Sequence, residues 1–136
     1  MNGWEAGLNL GGLIPVTALV AGLHALLAVV LANFVLFVRL RPGKVPEWQP
    51  DAALRVQANF VENVPIALVL LLVLEIQGLP AWFLLGCGAS LFVFRVLHAW
   101  GLGTYEGANY PRLIGAQGTF VLLSVMGFAC LFTALG

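Results

Sequence analysis

Residues 14–38 read IPVTALVAGLHALLAVVLANFVLFV and contain no charged side chain. A helix that crosses about 30 Å of hydrocarbon needs about 20 mostly apolar residues, so this stretch predicts a membrane-spanning helix. Three further apolar stretches follow, at residues 54–76, 80–100 and 113–134. These four spans use nearly the whole chain, and they predict a single membrane domain over residues 1–136 that folds as an all-α four-helix bundle.

The composition excludes several other classes of protein. Of 136 residues, 61% are hydrophobic and 9% are charged, whereas soluble domains have about 45–50% apolar and about 25% charged residues. Six basic residues balance six acidic ones, so nothing suggests a nucleic-acid partner. Two cysteines do not indicate a disulfide scaffold. The lipid bilayer is the expected surrounding, and no metal site is predicted.

The positive charges predict how the chain is oriented. With four spans, the loops after the first and third spans share one side of the membrane, and both termini share the other. All six cations lie in or near the first group, at Arg39, Arg41, Lys44, Arg55, Arg95 and Arg112. Because cytoplasmic loops carry the excess of Lys and Arg, both termini are predicted on the non-cytoplasmic side. In a bacterium this would be an integral protein of the inner (plasma) membrane.

Ionisable residues inside the spans are the candidates for chemistry, because a charge in hydrocarbon is costly and usually faces protein or a water-filled cavity. Arg55, Asn59 and Glu62 follow the spacing i, i+4, i+7, which predicts one face of the second helix. Arg95 and His98 are neighbours on the third helix. Counted from the predicted helix ends, Glu62 and Arg95 lie at similar depths, about 10 Å and about 9 Å. We therefore predict an ion pair between them.

Spacing alone leaves a purely structural interpretation equally open. In this interpretation the charged pair joins two helices, and Gln57 and Asn59 form hydrogen bonds across the bundle, as polar residues in membrane proteins often do. His24, Asn33 and Gln117 are single polar residues in their spans. They are predicted to form interhelical hydrogen bonds rather than a site.

Three short motifs carry a resemblance to a known family. Residues 55–65 read RVQANFVENVP, and they meet every fixed position of the pattern Arg-x-Gln-x-Asn-x-x-Glu-x-x-Pro. This pattern resembles the second-helix signature of the MAPEG family, the membrane-associated proteins in eicosanoid and glutathione metabolism. Residues 95–98, RVLH, resemble the family's third-helix Arg-x-x-His or Arg-x-x-Tyr element, and residues 112–115, RLIG, resemble its fourth-helix Arg-x-x-Gly. With the four spans and the chain length, the resemblance covers essentially the whole chain.

The resemblance implies a homotrimer of four-helix subunits that binds glutathione between neighbouring subunits near the cytoplasmic face. It implies a transferase or peroxidase of the microsomal glutathione transferase type, in which glutathione is a co-substrate and a lipophilic small molecule is the acceptor. Arg112 would be the catalytic residue that activates the thiol. The residues implied to bind glutathione are Arg39, Arg55, Gln57, Asn59, Glu62, Arg95 and His98.

Two other functions stay open. Many catalytic members of the family carry tyrosines at positions near Leu102 and Ala116 of this chain. Their replacement favours a non-catalytic member that binds lipid or a partner protein. A small proton-driven exporter would use Glu62 as its intramembrane acid. Such exporters usually carry the essential acid in the first helix, and the first span here has none.

Overall fold

Four α-helices make up the computed structural model, which describes residues 15–40, 50–104 and 109–136. The helices are α1 (Val16–Leu40), α2 (Pro50–Ile76), α3 (Ala81–Thr104) and α4 (Tyr110–Leu135). Each is long and apolar enough to cross a membrane. The prediction of an all-α fold with four spanning helices is confirmed. Arg41 and Lys44, two of the six cations, lie outside the described residues.

Two helices extend further than the apolar spans predict. Helix α2 begins at Pro50 rather than near Leu54, and α3 continues to Thr104 rather than ending near Gly101. The first turn of α2 contains Asp51, a negative charge that suits the positive end of a helix dipole. Apolar length detects the part of a helix that lies in hydrocarbon, so polar end turns fall outside it.

The interior of the bundle is built from side chains at helical spacing. Ala67, Leu71 and Leu74 of α2 pack with Leu84 and Leu91 of α3 in the half of the bundle near the short α2–α3 turn. A second cluster fills the other half, formed by Leu31, Val56, Phe60, Val64, Ala99 and Leu102. Lipid tails are as apolar as these side chains, so close packing rather than the hydrophobic effect holds such helices together.

The short turn between α2 and α3 contains Gly78. Gly78 has a φ of 84°, in the left-handed region that favours glycine. The Gly78 N–H donates to the Glu75 carbonyl (3.0 Å), and the Leu79 N–H donates to the Leu74 carbonyl (3.1 Å). These two bonds form a Schellman motif, which satisfies the last carbonyls of α2 and reverses the chain within a few residues.

Helices α3 and α4 approach closely at Gly115. A Cβ atom at this position would stand 2.5 Å from the backbone nitrogen of His98 and 2.5 Å from the carbonyl oxygen of Phe94. Only glycine therefore permits this distance between the two backbones. The Phe94 ring fills the space over Gly118, one turn further along α4. Small residues at helix contacts serve the same purpose in other membrane bundles.

A buried carboxylate ties α1 to α2 at the opposite end of the bundle from Arg55. The two Glu75 oxygens accept hydrogen bonds from the backbone N–H groups of Val16 (2.6 Å) and Thr17 (2.7 Å). The first N–H groups of a helix have no partner within the helix. A negative charge at this end also suits the helix dipole. Glu75, at the end of α2, thus caps the start of α1.

Replacing Glu75 with leucine is expected to destabilise the protein by about 2 kcal/mol, because it leaves two first-turn N–H donors without their acceptor. The measurement is the free energy of unfolding in mixed detergent micelles at increasing SDS fraction. Gln77→Leu is the control, since it changes an exposed side chain that accepts a hydrogen bond from Thr133 at the same end of the bundle. Equal losses in the two variants would show that the Glu75 cap contributes nothing of its own.

Candidate functional site

A groove lined by polar side chains opens between the start of α2, the end of α3 and the start of α4. We call it the arginine groove, and its volume is about 240 Å³. The residues that line it are Arg55, Ala58, Asn59 and Glu62 of α2, His98 and Leu102 of α3, and Arg112 of α4. The groove therefore brings together five of the eight residues that the sequence singles out.

The α2 wall of the arginine groove follows from helix geometry. Arg55, Asn59 and Glu62 share one face, as their spacing predicts, and all three line the groove. Asn59 is half-buried, whereas Arg55 and Glu62 are exposed on the single subunit. Ala58 lies on the same face, and its small side chain leaves space between the charged ones.

Arg112 is positioned by the start of α4. Asn109 is the N-cap of this helix, and its side-chain oxygen accepts a hydrogen bond from the Arg112 backbone N–H (2.9 Å). The Asn109 side-chain amide donates in turn to the Gly101 carbonyl of α3 (2.9 Å). One asparagine thus joins the end of α3 to the start of α4. The half-buried Arg112 is thereby placed beside His98 and Leu102 in the groove wall.

Arg95 lies behind the groove and is 3% exposed. Its guanidinium donates to the Asn59 side-chain oxygen (2.6 Å), the Thr119 hydroxyl (2.6 Å) and the Gly115 carbonyl (3.1 Å). It joins α2, α3 and α4 and holds Asn59 in the groove wall. Charge-assisted hydrogen bonds of this kind are the stronger ones in proteins.

The predicted ion pair between Glu62 and Arg95 is wrong. Arg95 bonds to Asn59 instead, and the structure gives no hydrogen bond or ion pair between Glu62 and Arg95. The prediction failed because it counted the depth of each residue from helix ends that differ from the observed ones. Because α2 begins at Pro50 and α3 ends at Thr104, Asn59 and Arg95 each lie about 14 Å from their helix end, whereas Glu62 lies about 18 Å away.

Two predicted binding residues do not line the groove of a single subunit. Arg39 stands exposed in the last turn of α1. Gln57 is half-buried on α2, away from the face that carries Asn59. Arg95 is buried behind the groove, so Arg39, Gln57 and Arg95 are the three predicted residues that do not line it.

The predicted interhelical hydrogen bonds of His24 and Asn33 are wrong, since each side chain bonds directly to its own helix. The His24 ring bonds to the Val20 carbonyl (2.8 Å), and the Asn33 amide donates to the Val29 carbonyl (2.9 Å). Both partners lie four residues earlier in the same helix, where side chains can reach a backbone carbonyl without leaving their own helix. Gln117 is exposed on α4.

Ala58 and Thr119 belong to the site but were not among the residues predicted from the sequence. Ala58 could have been found, since it falls on the face defined by Arg55 and Glu62. Thr119 is fully buried and lies one turn after Gly115. Its hydroxyl donates to the Gly115 carbonyl (2.7 Å) and accepts from Arg95. Within residues 15–40, 50–104 and 109–136, no three His, Cys, Asp or Glu side chains group in a way that could hold a metal ion.

The fold and the groove define an integral membrane protein with a cationic polar site among its spanning helices. The chain belongs to the MAPEG family, whose model matches residues 16–132. It is 36% identical over 123 residues to the inner membrane protein YecN of Escherichia coli strain K12, and the match covers 86% of this chain and 91% of YecN. YecN of Escherichia coli O6:H1 matches to the same extent. No solved structure matches significantly.

Proposed function

We propose that the arginine groove binds glutathione and that Arg112 stabilises its thiolate for attack on lipophilic electrophiles. The observation that carries the proposal is the convergence of Arg55, Glu62, His98 and Arg112 on one groove. These residues come from three helices and from all three family motifs, so their meeting in one place is not a consequence of local sequence.

The charges of the groove complement those of glutathione. The tripeptide carries two carboxylates and one ammonium group at neutral pH. Arg55 and Arg112 each offer a planar donor fork that suits a carboxylate. Glu62 offers an acceptor for the ammonium group, and Asn59, fixed by Arg95, offers an amide. Ligand pockets have volumes of about 300–1,000 Å³, so a groove of about 240 Å³ supplies part of such a pocket.

Arg112 is the residue best placed to lower the pKa of the bound thiol. A free thiol has a pKa of about 8.5, and only the thiolate is an effective nucleophile. Arg112 combines a guanidinium with a position in the first turn of α4, where the helix dipole also favours a negative charge. In the proposed reaction the thiolate sulfur forms a bond to an electrophilic carbon, and the leaving group departs with its electron pair.

The site is proposed to face the cytoplasm, with both termini on the other side of an inner membrane. The groove lies at the end of the bundle where α2 begins and α3 ends, the end that also carries Arg39 in the last turn of α1. The positive-inside rule assigns such an end to the cytoplasm. The name of the YecN relatives supports the inner membrane as the location.

A homotrimer is proposed: the family resemblance supplies the number of copies, and the charged groups that a single subunit leaves uncovered support an assembly. Arg55 and Glu62 are exposed on α2, although both lie in a helix that can span the membrane. Charged groups at such depths ordinarily face protein or a water-filled cavity rather than lipid. A neighbouring copy would cover this face and complete the pocket, and Arg39 of that copy is a candidate for a glutathione carboxylate.

The test is glutathione titration into detergent-solubilised protein, followed by calorimetry and by the ultraviolet absorbance of the thiolate. We expect binding with a rise in absorbance, and binding about 10-fold or more weaker in Arg55→Ala, which loses one charged fork. Leu84→Ala is the control, because it disturbs packing at the far end of the bundle. If the wild-type protein shows neither heat nor thiolate absorbance, the proposal is withdrawn.

A second candidate is a non-catalytic member that binds a lipid or a partner protein. Leu102 lines the groove at a position near which many catalytic members carry tyrosine, and it offers no hydroxyl. Turnover of an activated aromatic halide separates the two candidates. Glutathione-dependent turnover that is lost in Arg112→Ala would exclude the non-catalytic function.

A further inference from the structure

His24 of α1 is buried inside the bundle with one ring nitrogen unused. The residue is 1% exposed, and its Nδ1 lies 2.8 Å from the Val20 carbonyl oxygen. A carbonyl only accepts, so Nδ1 carries the hydrogen, and Nε2 is left as an acceptor in the neutral ring. Nε2 is fully buried and has no hydrogen-bond partner among the described residues.

Arg95 carries a buried hydrogen-bond donor that complements the unused acceptor of His24. Its two terminal nitrogens bond to Asn59, Thr119 and Gly115. Its Nε–H, in contrast, is buried and finds no acceptor in the part of the chain that the structure describes. An unsatisfied donor or acceptor costs several kcal/mol inside a membrane, where no bulk water is available. One unused donor and one unused acceptor therefore both need a partner.

His24 packs against residues next to both members of the Arg95–Asn59 hydrogen bond. The ring lies 6.2 Å from the ring of Phe60, the residue after Asn59 on α2. It lies edge-on at 5.6 Å from the ring of Phe92, which is one turn before Arg95 on α3. The unused donor and the unused acceptor thus belong to the same layer of the bundle.

We propose that a buried water molecule joins Arg95 to His24. Its oxygen accepts a hydrogen bond from Arg95 Nε–H, and one of its hydrogens is donated to His24 Nε2. Buried waters need two to four polar partners, and these two atoms supply the minimum. The link makes His24 a positioning residue, because it connects α1 to the guanidinium that holds Asn59 in the arginine groove.

The water site can be tested without glutathione by nuclear magnetic resonance. The chain has only two histidines, so ¹⁵N-histidine labelling gives a simple spectrum, and His24→Gln assigns the His24 signals. We expect magnetisation transfer from water to the His24 ring and a shift of its Nε2 signal in Arg95→Met. The absence of water transfer would overturn the proposal, as would an Nε2 signal that Arg95→Met leaves unchanged. If Arg95→Met does not fold, the wild-type water transfer decides alone.

The positioning role rests on the proposed glutathione function and has its own readout. We expect His24→Leu to weaken glutathione binding about 3–10-fold, which lies within the range for residues coupled to a site through a connected network. His24→Gln keeps an acceptor and is expected to restore binding to within about 2-fold. Leu84→Ala controls for lost packing. Equal effects of leucine and glutamine would overturn the positioning role. A wild-type protein that binds no glutathione would instead remove the proposed function and leave the resonance experiment valid.

Discussion

Replacing Arg112 with alanine is expected to remove most of the thiolate absorbance of bound glutathione at pH 7 while leaving measurable binding. A cation within about 4–6 Å of an acid lowers its pKa by about 1–3 units. Without the guanidinium the thiol returns to a pKa of about 8.5 and is about 3% ionised at pH 7, so the thiolate fraction falls by about 8- to 30-fold. Turnover of an aromatic halide should fall by a similar factor. The remaining groove residues, Arg55, Asn59 and Glu62, still bind the tripeptide, so affinity should fall much less than absorbance.

Arg112→Lys is the matched control for this experiment. Lysine keeps the positive charge but lacks the planar fork, so it should retain much of the thiolate absorbance. Its peptide N–H can also still donate to Asn109, the bond that fixes the start of α4. Thiolate absorbance that survives in Arg112→Ala would show that another group activates the sulfur, and His98 in the same wall would be the next candidate.

Asn59→Leu is expected to destabilise the protein by about 2–3 kcal/mol, because it leaves one terminal nitrogen of a buried guanidinium without its acceptor. The variant removes a 2.6 Å acceptor from Arg95 and offers no replacement. The double variant Asn59→Leu with Arg95→Met removes donor and acceptor together. It should lose less stability than Asn59→Leu alone, since no stranded charge remains.

The measurement is the free energy of unfolding at increasing SDS fraction for both single variants and the double variant. Glu62→Gln combined with Arg95→Met is the matched comparison. Glu62 forms no bond with Arg95 in the structure, so these two effects should add to within about 0.5 kcal/mol. The assignment of Asn59 as the partner of Arg95 would be contradicted if the effects of the Asn59 and Arg95 substitutions add while those of the Glu62 and Arg95 substitutions do not.

The sequence predicts the four helices and much of the groove because both depend on local regularities. Apolar length identifies the spans, and the 3.6-residue period places Arg55, Asn59 and Glu62 on one wall. These features need only one helix at a time. The position of Arg112 near the other two helices depends on how the helices pack, so the sequence reached it only through the family resemblance.

The partner of Arg95 could not be predicted, since it depends on how two helices align. An error of four residues at the start of α2 shifts the apparent depth of every residue by about 6 Å, more than one helical turn. The cap that Glu75 forms on α1 could not be predicted for a related reason. A carboxylate near the end of a span looks like a surface charge in sequence, and only the structure shows the start of α1 beside it.

Gly115 has a consequence that goes beyond spacing. In an ordinary helix, side chains screen each carbonyl from neighbouring helices, so a cationic side chain of another helix rarely donates a hydrogen bond to the backbone. Here the bare backbone at Gly115 gives Arg95 an oxygen acceptor, and part of its positive charge is balanced by a peptide dipole rather than by an acid. Any larger residue at this position would separate the helices and also remove that acceptor. The spacing between α3 and α4 and the charge balance of Arg95 therefore depend on the same residue.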